Sequence, residues 1–176
     1  RVTLHRDAGP LRFRVGRTVI PADLEHVAST ERSVTLARSG ARVATVEHLL
    51  AALQISGFWS GVVIEVDGSE VPILDGSARP WLEEIARLGQ PPAQTPEPLT
   101  IHEPIELAEG NSRASLHPGE PELDVSVSYP HPAIGEQRWH GAAASWSELL
   151  DARTFGFASE AQQLGAANLA RGASTE

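Results

Sequence analysis

The 176-residue sequence predicts an α+β protein built in two parts, on three observations. Each half puts strand-like alternation first and helix-like 3.6-residue periodicity after it, rather than alternating the two. A proline-rich stretch, "QPPAQTPEP" at residues 90–98, separates the halves with four prolines in nine positions. Hydrophobic residues make up 41% and charged residues 21%, enough apolar content for two small cores. We therefore expect a first α+β domain over 1–89, a linker over 90–98, and a second α+β domain over 99–176.

The elements follow in order. Residues 2–20 alternate loosely around Ala8-Gly9-Pro10 and predict two short strands. A helix is expected from Thr45, as N-cap, because Val46, Leu49, Leu50 and Leu53 fall at i, i+3, i+4 and i+7. Ser56-Gly57 ends it. "GVVIEVDG" reads as a strand closed by Asp67-Gly68. "EVPILDGSARPWLEEIARLG" predicts a short strand, a turn at Asp75-Gly76, and a helix capped by Ser77 with Trp81, Leu82, Ile85 and Leu88 as its apolar stripe. Beyond the prolines, "LTIHEPIEL", "ELDVSVSY" and "QRWHGAAA" read as strands, with Leu123, Val125, Val127 and Tyr129 on one face. Capping boxes at Ser145–Glu148 and Ser159–Gln162 open two further helices, the first running to about Ala152.

Composition excludes several classes of function. The net charge of -9, without a basic cluster, argues against nucleic acid as a partner. The absence of Cys rules out disulfides and thiolate metal sites and fits a reducing compartment. The longest apolar run, "LLAAL", is far short of a membrane span.

Chemistry has few candidates. Glu47 and His48 stand together in the first turn of the predicted helix, where the dipole favours a carboxylate and a neutral, metal-binding imidazole. On residue physics by itself, a hydrogen-bonded and silent His48 is the better reading. His102 and Glu106 have helical ligand spacing, but Pro104 lies between them in strand-like sequence, so they carry nothing. His131 and His140 could each be a ligand or a substrate contact, but ordinary surface histidines are the better reading. In "DARTFGF", residues 151–157, the Thr154 hydroxyl could serve an oxyanion, while Phe155 and Phe157 read more simply as core plugs around a glycine turn.

Four motifs in order, "TVEHLLAAL", "VIEVDGSEVPILDGSA", "HPAI" and "ARTFGF", resemble the UDP-3-O-acyl-N-acetylglucosamine deacetylases, the LpxC family of lipid A biosynthesis. The resemblance runs from about Val2 to about Ser174. It implies a cytoplasmic zinc amidohydrolase that cleaves the acetamide of a UDP-linked acylated glucosamine. It further implies that His48 is a zinc ligand, Glu47 the general base, Thr154 the oxyanion stabiliser and Phe155 a neighbour of the substrate. The family's "HKxxDxxGD" motif, which carries its other two zinc ligands, does not occur in these residues, nor does its opening "GLH" stretch. The resemblance therefore implies one zinc ligand of three, an incomplete second domain, and a fragment of an active enzyme. The alternatives are a non-catalytic truncated relative that binds a nucleotide-sugar or a protein, or a chain that recruits replacement ligands.

Overall fold

A computed structural model describes residues 1–93, 97, 99–110 and 112–157. They form two compact units: one runs Arg1–Thr95 and resumes at Glu148, and the other is Pro96–Ser147. Small sheets are combined with a few helices in an α+β arrangement. No helix among the described residues is long and apolar enough to cross a membrane.

The opening segment of the first unit supplies three strands rather than two: β1 (Val2–Pro10), β2 (Arg12–Val15) and β3 (Thr18–Pro21). Ala8-Gly9-Pro10 does not break the chain into strands. It forms an irregularity inside β1, where the register shifts between Arg6 and Pro10 and Gly9 takes a φ of 93°. Three short strands follow, β4 (Val27–Ser29), β5 (Thr35–Arg38) and β6 (Ala41–Val43), paired antiparallel in a sheet of their own. Helix α1 (Glu47–Ile55) comes next, then β7 (Ser60–Val66). The four-stranded sheet has the order β1-β7-β2-β3, with β7 antiparallel to β1 and parallel to β2. A strand between two neighbours, with packing on both faces, reads as a continuous apolar run. Accordingly Val62, Val63, Ile64 and Val66 are all buried.

Helix α1 buries Leu49, Ala52 and Leu53, while Leu50 is only partly covered at the rim. Its core partners are Phe13 and Ile20 from the four-stranded sheet, Leu36 and Val43 from the three-stranded one, and Trp81 and Ile85 from α2 (Trp81–Ala86). Fully burying each aliphatic side chain contributes about 1.5–3 kcal/mol, so this shared core is what seats α1. The expected strand at "EVPIL" is reduced to an isolated bridge between Ala44 and Glu70. Ser77 does not cap α2. It is buried, and its hydroxyl donates to Asp75 Oδ1 at 2.7 Å, closing the turn that precedes the helix. Pro80 takes the N-cap position with a φ of -59°, already set for helix by its ring.

In the second unit, β8 (Ile105–Glu109) pairs with β9 (Ser112–Leu116), and β10 (Glu122–Ser128) with β11 (Glu136–Ala142), as two separate antiparallel hairpins. β9 has no counterpart among the strands expected from sequence. Leu123, Val125, Val127 and Tyr129 alternate as predicted, yet each remains at least 38% exposed. No described residue of this unit is fully buried, and two-stranded hairpins without a covered face are marginal by themselves. The capping box at Ser145–Glu148 opens no α-helix: Ala143–Asp151 is 3₁₀. Only Leu150 is buried there, so no apolar stripe selects the 3.6-residue period. The second capping box, Ser159–Gln162, lies outside the described residues.

Candidate active site

The approach to α1 is built by contacts distant in sequence. Ala44 donates its N–H to Ser69 O at 2.9 Å and accepts from Val71 N at 3.0 Å, holding the chain against residues 69–71. Thr45 then adopts a φ of 59°, a conformation rarely taken by a β-branched residue. Thr45 is not an N-cap. It is buried, and its hydroxyl donates to Glu70 Oε1 at 3.1 Å. The cap position falls to Val46, without a side-chain cap bond.

Val34 substitutes for a cap by engaging the helix start twice. Its carbonyl accepts the Val46 N–H at 3.4 Å, and its N–H donates to Glu47 Oε2 at 3.0 Å. One carboxylate oxygen of Glu47 is thereby fixed, in the first helical turn, where negative charge is favoured. The other accepts no hydrogen bond from the described residues. His48 follows, half-buried, and its imidazole makes no hydrogen bond or ion pair among the described residues. The hydrogen bond that residue physics expected for His48 does not come from the described residues.

Thr154 and Phe155 lie past the 3₁₀ segment, on chain that packs with the first unit through the buried Leu150. Two interlocked stretches hold them. Arg79 donates through Nε and Nη2 to both carboxylate oxygens of Asp151, and its backbone N–H bonds Leu150 O at 3.0 Å. Arg153 Nη2 donates to Asp75 Oδ2 at 3.2 Å. Thr154 N–H donates to Gly76 O at 2.9 Å. The Asp75 carboxyl lies below the usual range, chiefly because the Ser77 hydroxyl and N–H donate to it, with Arg153 adding to the effect. The Asp151 carboxyl is lowered by the Arg79 bonds, and the Arg79 guanidinium is correspondingly raised. Gly76, at φ 84°, leaves a side chain little room: a Cβ would stand 3.1 Å from Thr154 O, closer than ordinary contact. Phe155 is 47% exposed and meets Phe157 edge-to-face at 5.7 Å, so it is not a core plug.

The short stretch Glu70 to Gly76 connects these two constructions, since Glu70 holds Thr45 and Gly76 holds Thr154. Even fully extended, six residues reach only about 20 Å. Four of the other six histidines have partners elsewhere. His5 pairs with Glu65 and His26 with Asp23. His131 Nδ1 accepts from Ala133 N at 3.3 Å, and His140 Nε2 is 3.6 Å from Glu122. No three His, Asp or Glu side chains among the described residues gather as a metal-binding set. A catalytic zinc takes three protein ligands and an open position. The described donor set does not fit such a centre by itself.

The family model of UDP-3-O-acyl N-acetylglycosamine deacetylase (LpxC) matches residues 4–176. The chain belongs to this family. A UDP-3-O-acyl-N-acetylglucosamine deacetylase from Thermosynechococcus vestitus is 45% identical over 166 residues, covering 92% of this chain and 57% of that protein. One from Anaeromyxobacter dehalogenans is 40% identical, covering 97% and 57%. One from Nautilia profundicola is 33% identical, covering 97% and 60%. The chain thus spans little more than half the length of these curated relatives. The sequence offered Glu47, His48, Thr154 and Phe155 as candidates, with their roles implied by the family resemblance, but gave no sign of Val34, Glu70, Asp75, Arg79 and Asp151. The two glutamate partnerships span 13 and 25 residues, and Arg79 to Asp151 spans 72, so no local spacing reports them.

Proposed function

We propose that this chain supplies the general-base half of a cytoplasmic, zinc-dependent deacetylase acting on the acetamide of UDP-3-O-acyl-N-acetylglucosamine. What supports the reading is family membership together with one geometric observation: Glu47 has one carboxylate oxygen anchored on Val34 N–H and the other unengaged among the described residues. A carboxylate oriented through one oxygen can take a proton from an attacking water with the other and pass it to the departing amine. Thr154, held by its backbone on Gly76, presents an exposed side chain whose hydroxyl would donate to the oxyanion as the acetamide carbonyl becomes tetrahedral. Phe155 offers an exposed ring to the substrate. His48 is the proposed zinc ligand of this chain. Glu47 would move the proton and Thr154 would stabilise the developing charge.

The test is a chimaera in which these residues replace the matching segment of the 45%-identical relative. Acetate release from UDP-3-O-acyl-N-acetylglucosamine is measured, with circular dichroism as the folding check. Glu47→Gln is expected to lower turnover by about 10²–10⁴-fold, the usual contribution of a positioned base, with zinc content unchanged. Undiminished turnover in Glu47→Gln would overturn the assignment. A folded chimaera that binds the UDP-sugar without releasing acetate would favour a non-catalytic binding module instead.

A further inference from the structure

We propose that Thr45 and Glu70 are positioning residues that set the direction of the Glu47 carboxylate and the His48 imidazole. The proposal rests on the reading that Glu47 and His48 act in the reaction, and deepens it.

The argument starts from a conflict between residue and conformation. At φ 59° a glycine would sit without strain, whereas the Cβ branch of threonine crowds its own backbone. A side chain that opposes its own backbone persists only when the surroundings hold it. Here they hold it on three sides. Ahead of Thr45, Ala44 is pinned to residues 69–71 by two backbone hydrogen bonds of 2.9 and 3.0 Å. Behind it, Val46 is wholly buried in the core. From the side, Glu70 Oε1 accepts the Thr45 hydroxyl at 3.1 Å.

That left-handed residue is where the chain leaves β6 and turns into α1, two residues before Glu47. Rotation at Thr45 would reorient the first helical turn, and with it both functional side chains. The Thr45–Glu70 hydrogen bond is what opposes that rotation: it ties the strained residue to the same strip of chain that Ala44 is bridged to. The pair works through Glu47 and His48 and is assigned no contact with substrate.

The structure contains its own reporter. The Val34 amide is protected by Glu47 Oε2, so its hydrogen exchange reads the position of that carboxylate directly. The experiment is amide exchange by NMR on the 176-residue chain, comparing Val34 with Ile64 in the core of the sheet. Thr45→Val keeps the shape and loses the hydroxyl; Thr45→Ser keeps the hydroxyl; Glu70→Gln keeps an acceptor, and Glu70→Ala removes it. Thr45→Val and Glu70→Ala are expected to speed Val34 exchange about tenfold while Ile64 stays unchanged. Thr45→Ser and Glu70→Gln should stay near the parent rate. Val34 exchange that is unaltered, that rises only in step with Ile64, or that Thr45→Ser fails to rescue would overturn the proposal. Where Thr45→Val does not fold, the Glu70 pair of variants decides. The measurement reads geometry rather than turnover, so it can fail while the deacetylase reading stands, and the converse.

Discussion

Leu49 follows His48 directly and is completely buried, so truncating it tests whether the core is what seats the first turn of α1. Leu49→Ala removes three carbons, worth about 2.4 kcal/mol at ~0.8 kcal/mol per buried CH₂. Phe13 and Ile20 of the sheet and Leu53 of the same helix share this core and are held by their own elements, so they cannot all relax inward and a cavity term adds to this. The sum is about 3 kcal/mol, inside the usual 2–5 kcal/mol range for Leu→Ala in a core. At roughly 2–4 °C per kcal/mol for a chain of this size, Tm should fall by about 10 °C. The assay is urea and thermal unfolding by far-ultraviolet circular dichroism, with a lower midpoint at an unchanged m-value. Leu24→Ala, at a position 89% exposed, is the control and should stay within about 0.5 kcal/mol of the parent. A Leu49→Ala loss below about 1 kcal/mol would refute the seating of α1 on this core, and with it the claim that packing fixes Glu47 and His48.

Two further predictions concern the Thr154 segment. Gly76→Ala combines a left-handed φ with a Cβ aimed at Thr154 O, and should cost about 1–3 kcal/mol while the Thr154 amide loses exchange protection; a neutral urea midpoint with full protection would contradict it. The pH dependence has a definite sign. The carboxyls of Asp75 and Asp151 are both lowered in the folded state, so the stabilisation they give is complete above the unfolded value near ~3.9 and is lost as pH falls through the folded values. Thr154 amide protection should therefore be flat between about pH 5 and 8 and decline below about pH 4. A decline already between pH 7 and 5 would show that some other group controls the docking.

How much of this was legible beforehand can be argued element by element. β7 and α1 were, because β7 is a continuous Val and Ile run and α1 carries an apolar stripe whose Val46, Leu49 and Leu53 are buried, with Leu50 partly covered. The caps were not. Thr45 and Ser77 both have the chemistry of N-caps, yet each spends its hydroxyl on a carboxylate, Glu70 and Asp75 respectively. Capping competes with any other acceptor in reach, and which acceptors are in reach is a tertiary fact. The segment Ala143–Asp151 shows the same limit: a capping box sets where a helix can start, while packing selects its period, and only Leu150 packs.

For the candidate site the division is similar. The order of "TVEHLLAAL", "VIEVDGSEVPILDGSA", "HPAI" and "ARTFGF" identified the family, and that resemblance, rather than residue types alone, singled out Glu47, His48, Thr154 and Phe155. What only the tertiary structure decided is how those groups are held: Glu47 on the Val34 amide, Thr45 against Glu70, and Thr154 on Gly76 within a frame of two Asp–Arg pairs. Local spacing encodes period and turn chemistry over a few residues, whereas these hydrogen bonds join residues 13 to 78 positions apart and exist only once the core has brought the segments together.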